Sequence, residues 1–184
     1  MDRNPVTRPE GQAETLQGAK RLEEVFSASQ AELLGTLYYM LGSSEDARDA
    51  LQDTFVKCWR NRDRVPEITN LRAWIFRIAL NTGRDMRSTA WRRRRRPLVK
   101  GEETLVADNV APQADAARRE QLELVRRELR RLRHEEQEVF LLRQNGRMTY
   151  QEIAEAIKIP VGTVKTRMRL ALTKLRAALE EKTD

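Results

Sequence analysis

Aromatic residues are scarce in this 184-residue chain, at 5%, while charged residues reach 34%. One large core needs aromatic bulk that this composition does not supply, and two small helical cores suit it better. There is one cysteine, Cys58, which excludes an internal disulfide framework. There is also one histidine, His134, so no metal site is expected. A Gly-rich phosphate loop and a His-based dyad are both missing, so neither a catalytic residue nor a cofactor is expected. No apolar run approaches the roughly 20 residues that a membrane span requires. The N-terminus lacks the apolar stretch of a secretory signal. These absences imply a cytoplasmic chain with no membrane partner. Strand-like alternation and internal repeats are lacking too, which leaves an all-α fold.

What is present begins with charge. The formal net charge is +7, and it is concentrated. From Arg84 to Lys100 eight basic residues (Arg84, Arg87, Arg92 to Arg96, Lys100) face one acid, Asp85, so the other 27 basic and 27 acidic residues cancel. A balanced chain with one basic block reads as a polyanion binder with a defined contact site, or as a solvated charge run at a helix end.

Apolar spacing divides the chain. Residues 1–17, with Pro5, Pro9 and Gly11 and few large apolar side chains, read as a disordered lead-in. Residues 18–96 form a first helical block. Residues 97–116, with Pro97, Gly101 and Pro112, read as a flexible linker, and residues 117–180 as a second block. In the first block Leu22 to Leu41 predicts one long helix or a broken pair, stopped at Gly42. Ser43, Ser44, Glu45 and Asp46 are good chemistry for starting the next helix, since hydroxyls cap free amides and acids suit the positive dipole end. Its apolar side carries Ala47, Leu51, Phe55 and Cys58. Asp49, Gln52, Asp53 and Val56 share another face at i, i+3, i+4 and i+7. A third helix, about 70–95, places Leu71, Trp74, Ile75, Ile78, Thr82 and Met86 along one stripe.

The second block predicts helices at about 116–132 and 135–144 and a turn at Asn145-Gly146. Next, Thr149 and Glu152 form a capping box for a short helix whose buried face is Ile153, Ala154 and Ile157. Pro160 cannot continue that helix, and Thr163 opens a longer one. The pattern is a helix-turn-helix, in which the second helix enters the DNA major groove. From Lys158 to Ala177 there are six basic residues and no acids. Val164, Met168, Ala171, Leu172 and Leu175 gather on the opposite side of the wheel from Thr166, Arg169 and Thr173.

Taken in order, these segments resemble the bacterial sigma factors of the extracytoplasmic-function type. In the first block the resemblance rests on Asp46-Ala47-Arg48-Asp49-Ala50-Leu51-Gln52-Asp53-Thr54-Phe55 with Trp59, and on Leu71 to Asn81. In the second it rests on Tyr150-Gln151-Glu152-Ile153-Ala154 and Val161 to Arg167. It implies two small helical domains, sigma region 2 and region 4, and a role in directing core RNA polymerase to the promoters of a stress or signal regulon. It implies that Asp49, Gln52, Asp53 and Val56 grip a coiled coil of the polymerase clamp. It places Asn70, Trp74, Arg77, Asn81, Arg84, Arg87, Arg92 and Arg93 on melted minus-ten DNA. On duplex minus-thirty-five DNA it places Lys165, Thr166 and Arg169 at bases, with Tyr150, Thr163 and Arg167 as candidates for phosphate contacts. It also implies contact with the polymerase flap and leaves room for an anti-sigma partner.

Two features depart from the family pattern. Ile68-Thr69-Asn70-Leu71 replaces a Gly-Ser-Phe type approach to the third helix, so the minus-ten pocket has its own shape. The run of five arginines is long for the class. Two readings stand for Trp74, a prop at the edge of the DNA bubble or plain core packing. The rival function is a stand-alone helix-turn-helix regulator, which has no use for the paired faces of the first block. An enzyme acting on nucleic acid lacks its chemistry here.

Overall fold

The structure is a computed structural model that describes the backbone of residues 10–94 and 116–180, and side chains over 16–89 and 124–180. Among the described residues it is helical throughout. The first lobe contains α1 (Glu10–Ala28), α2 (Gln30–Leu41), α3 (Ser44–Arg60), a short 3-10 segment (Arg62–Glu67) and α4 (Leu71–Arg94). The second contains α5 (Ala116–Arg131), α6 (His134–Gln144), α7 (Tyr150–Ile157) and α8 (Val161–Glu180). Residues 97–115, most of the expected linker, lie outside the described residues.

The opening helices are a broken pair. Ser29 interrupts them with a non-helical backbone, and its buried hydroxyl accepts a hydrogen bond from Arg72 Nη1 at 2.6 Å. The expected lead-in of residues 1–17 is corrected in part, because α1 already begins at Glu10. Leu22 and Phe26 bury the far end of α1, and a helix once nucleated extends backwards at small cost. At the end of α2, Gly42 takes the left-handed conformation (φ 73°) and returns its N–H to Tyr38 O at 2.8 Å. Ser43 then caps α3 by accepting from the Asp46 amide at 3.2 Å.

The first core gathers Leu33 and Leu37 of α2, Ala47, Ala50 and Cys58 of α3, and Ile75, Phe76, Ala79 and Leu80 of α4. Burial pushes the Cys58 thiol up to about 12. Buried Thr36 and Thr54 satisfy their hydroxyls on the carbonyls of Glu32 (2.7 Å) and Ala50 (2.6 Å), one turn back. Gly83 is a close approach: a Cβ there would stand 2.9 Å from Met40 Cε. The single stripe expected for α4 is too narrow. Phe76, Ala79 and Leu80 are buried beside Leu71, Trp74 and Ile75, because α4 packs against both α2 and α3 and also meets α7.

In the second lobe Val139 and Leu142 of α6, Met148, Ile153 of α7, and Val164 and Met168 of α8 are buried together. The capping box is formed. Thr149 Oγ1 accepts from the Glu152 amide at 3.2 Å, and Glu152 Oε2 accepts from the Thr149 amide at 2.7 Å. The stop of α7 comes two residues before the proline. Lys158 adopts the left-handed conformation (φ 57°), and Pro160 instead offers its carbonyl to Thr163 and Val164 at the start of α8. Gly146 permits a tight exit from α6, since a Cβ there would meet the Leu142 carbonyl oxygen at 2.6 Å.

Candidate nucleic-acid interface

The apolar side of α3 fixes where its polar side points. Ala47, Ala50, Leu51, Thr54 and Cys58 are buried, which turns Asp49, Gln52, Asp53 and Val56 outward, and all four are exposed. Val56 is 42% exposed, a large apolar side chain standing in solvent beside two carboxylates and an amide.

Along α4 the candidate DNA residues share a face but differ in environment. Asn70 caps the helix, its Oδ1 accepting from the Ala73 amide at 3.0 Å. Trp74 is 9% exposed and so belongs mainly to the core, yet it also lines a cavity of about 570 Å³. Arg77, Asn81 and Arg84 line the same cavity, and the opposite wall is the C-terminal part of α7 with Lys158. Arg84 is bound bidentately by Glu138 of α6, with Nε–Oε1 at 3.0 Å and Nη2–Oε2 at 2.6 Å. That bond raises the Arg84 guanidinium above its ordinary pKa. Arg87 stands 3.6 Å from the same carboxylate. The side chains of Arg92 and Arg93 lie outside the described residues.

On the helix-turn-helix, Val164, Met168, Ala171 and Leu175 are buried, leaving Lys165, Thr166 and Arg169 exposed and Thr163 and Arg167 half-buried. Thr166 Oγ1 donates to the Gly162 carbonyl at 3.0 Å, one turn back. The Tyr150 ring lies under the Arg143 guanidinium, 5.4 Å from its centre.

Sequence reasoning missed Glu136 and Glu138. Both side chains are only 4% exposed, although they sit in the charged run His134-Glu135-Glu136-Gln137-Glu138. Glu136 pairs with Lys174 at 2.6 Å and Glu138 with Arg84, partners 38 and 54 residues away. Local periodicity carries no trace of such distant partners.

Two family descriptions match this architecture in order, Sigma-70 region 2 over residues 25–96 and Sigma-70, region 4 over 122–175. The ECF RNA polymerase sigma factor SigW of Bacillus subtilis (strain 168) is 30% identical over 156 residues, covering 78% of this chain and 81% of that protein. The chain belongs to the sigma-70 family. It is an RNA polymerase sigma factor of the ECF class, and such a factor directs promoter recognition. RNA polymerase sigma factor CnrH of Cupriavidus metallidurans is 33% identical over 144 residues, covering 73% of this sigma factor and 74% of CnrH. Among solved structures, the sigma factor RpoE in complex with the anti-sigma factor NepR from Bartonella quintana superposes with a TM-score of 0.68 at 25% identity. That likeness covers 88% of this sigma factor and 95% of RpoE. CnrH in complex with the cytosolic domain of CnrY shares the fold, with a TM-score of 0.60 at 23% identity over 94% of this sigma factor and 99% of CnrH. The region 2 match decides against a stand-alone helix-turn-helix regulator. Among the described residues no helix is long and apolar enough to cross a membrane.

Proposed function

We propose that this sigma factor docks on core RNA polymerase through Asp49, Gln52, Asp53 and Val56. The partner surface is a helical coiled coil of the clamp, and region 4 meets the flap. Carboxylates around an exposed apolar residue make a surface that selects a basic, amphipathic helix partner. Residues 18–96 and 117–180 work as separate units joined by the linker 97–116, so region 4 can be carried to promoter distance. There α8 lies in the major groove, with Lys165, Thr166 and Arg169 at base edges and Tyr150, Thr163 and Arg167 on phosphates. The α4 face holds the melted minus-ten strand. Asn70 and Asn81 offer amides to an unstacked base, Trp74 offers a ring edge, and Arg77, Arg84, Arg87, Arg92 and Arg93 hold the backbone.

No bond chemistry is involved. Strand opening is driven by binding that is available only once the strand is melted. The chain works in the cytoplasm, where polymerase and promoter are, and a protein partner of the anti-sigma kind, as NepR is for RpoE, completes the reading.

The observation that carries the docking step is the simultaneous exposure of all four α3 residues on a helix whose other side is buried. The test is co-elution with sigma-free core polymerase on size exclusion, comparing the wild type with an Asp49→Arg/Asp53→Arg variant. Co-elution of the wild type alone is expected. Equal co-elution of the variant would remove the α3 face from the docking role.

A further inference from the structure

Among the described residues three large apolar side chains stand in solvent, Leu16, Val56 and Leu170. Val56 belongs to the α3 docking face, and Leu16 lies on the first half of α1. Leu170 is on α8, 40% exposed, inside the stretch from Lys158 to Ala177 that holds six basic residues and no acid. The buried side of α8 is already filled by Val164, Met168, Ala171 and Leu175. Leu170 instead continues the outer row of Thr163 and Thr166 and leads on to Thr173, at helical spacings of three and four, with exposed Arg169 beside it.

An apolar side chain on a basic helix is ordinarily shielded by the stems of its long neighbours. The positions next to Leu170 on the helix surface are Thr166, Arg167, Thr173 and Lys174, and both cations are drawn off it. Lys174 gives its ammonium to both oxygens of Glu136 of α6, at 2.8 and 2.6 Å. Arg167 is half-buried and lies close enough to Glu135 of α6 to help hold that carboxyl below its ordinary pKa, an effect led by the Glu135 backbone amide. Both acids sit in the first turn of α6, so the cations lean toward that helix end and the leucine is left bare.

The floor of the DNA major groove presents hydrogen-bonding groups with one apolar exception, the C5-methyl of thymine. A leucine neither donates nor accepts, so on a groove helix it favours that methyl and leaves the polar edges of other bases unsatisfied. We propose that Leu170 is a specificity-determining residue of region 4, packing on the methyl group of one thymine in the upstream duplex. Thr166 and Arg169 beside it supply the polar contacts that set its register. The inference deepens, and rests on, the reading of α8 as the groove helix.

The experiment uses core polymerase loaded with the full chain to select from a pool of random duplex DNA, with the bound fraction sequenced. The wild type should enrich thymine at one upstream position. Leu170→Ala should lose that preference there alone, and Leu170→Arg should exchange thymine for guanine. Leu170 is exposed and both replacements are good helix formers, so α8 stays folded, as circular dichroism would check. In the selected duplex, deoxyuridine in place of that thymine deletes only the methyl group. The wild type should bind this duplex about fourfold more weakly, the worth of one buried methyl, whereas Leu170→Ala should bind the two within about 1.5-fold.

A methyl effect that survives in Leu170→Ala, or a selected element in which no upstream thymine methyl matters, would overturn the assignment. The reading beneath it fails differently: Lys165→Ala and Arg169→Ala would then leave every selected upstream position unchanged. Upstream selection that those two variants destroy, with no response to Leu170→Ala, would remove the role of Leu170 alone.

Discussion

Helices α3 and α4 both carry polar residues at helical spacing beside an apolar side, yet they meet different fates. On α3 the polar face is bare: Asp49, Gln52 and Asp53 stand in solvent. On α4 it is partly paired within the chain, Arg84 and Arg87 with Glu138 and Asn70 with Glu152, while Arg77 and Asn81 stay exposed. Spacing alone assigns both faces to solvent. The difference comes from a lobe that is distant in sequence, so a polar face on a helix marks a surface without saying what lies against it.

Substitutions can break this contrast in order of size. The largest effect belongs to the core of α4. Leu80→Ala, at a fully buried position, should cost about 2–5 kcal/mol in denaturant unfolding followed by circular dichroism, as a cavity opens between packed helices. Next comes Arg72, whose guanidinium donates to Ser29 Oγ and the Asn145 carbonyl and stands 3.4 Å from Glu32 Oε1. Arg72→Ala should cost about 1–3 kcal/mol in the same assay, because the buried Ser29 hydroxyl and the Asn145 carbonyl lose their donor.

Asn70→Ala removes both a helix cap and the bond to Glu152, and should cost about 1 kcal/mol near neutral pH. Part of that cost is pH-dependent. The Glu152 carboxyl is held below its ordinary value, first by the Thr149 amide, then by the Thr149 hydroxyl and the Asn70 amide. A depressed carboxyl contributes stability above its unfolded value of about 4.3 and loses it as the pH falls through the folded value. The melting-temperature gap between wild type and Asn70→Ala should therefore narrow in acid. Smallest of all is Gln52→Ala on the bare face, expected within about 0.5 kcal/mol of wild type in stability. A large loss there would mean that α3 is covered after all.

Much of the fold was legible because its signals are local. The Gly42 stop, the Ser43 cap, the Thr149–Glu152 capping box and the buried side of α8 all follow from neighbouring residues. The break at Ser29 was readable only as one of two options, since the bond that orients it comes from Arg72, 43 residues later. The double-sided burial of α4 escaped the single-stripe reading because a helix packed on several sides has no clean period. Trp74 was left between core and DNA edge, and its position explains why: it is 9% exposed and lines the cavity at once. The left-handed Lys158 carried no signal, as lysine has no special liking for that conformation. Nothing local distinguishes Glu138 from its exposed neighbour Glu135.

The lone cysteine has a practical consequence. A thiol with no accessible surface, and with its deprotonation pushed up to about 12, is nearly inert toward maleimides and disulfide reagents at neutral pH. Probes can therefore be attached at cysteines introduced on either lobe while Cys58 stays native. The distance between lobes then becomes a spectroscopic observable in an otherwise unaltered core.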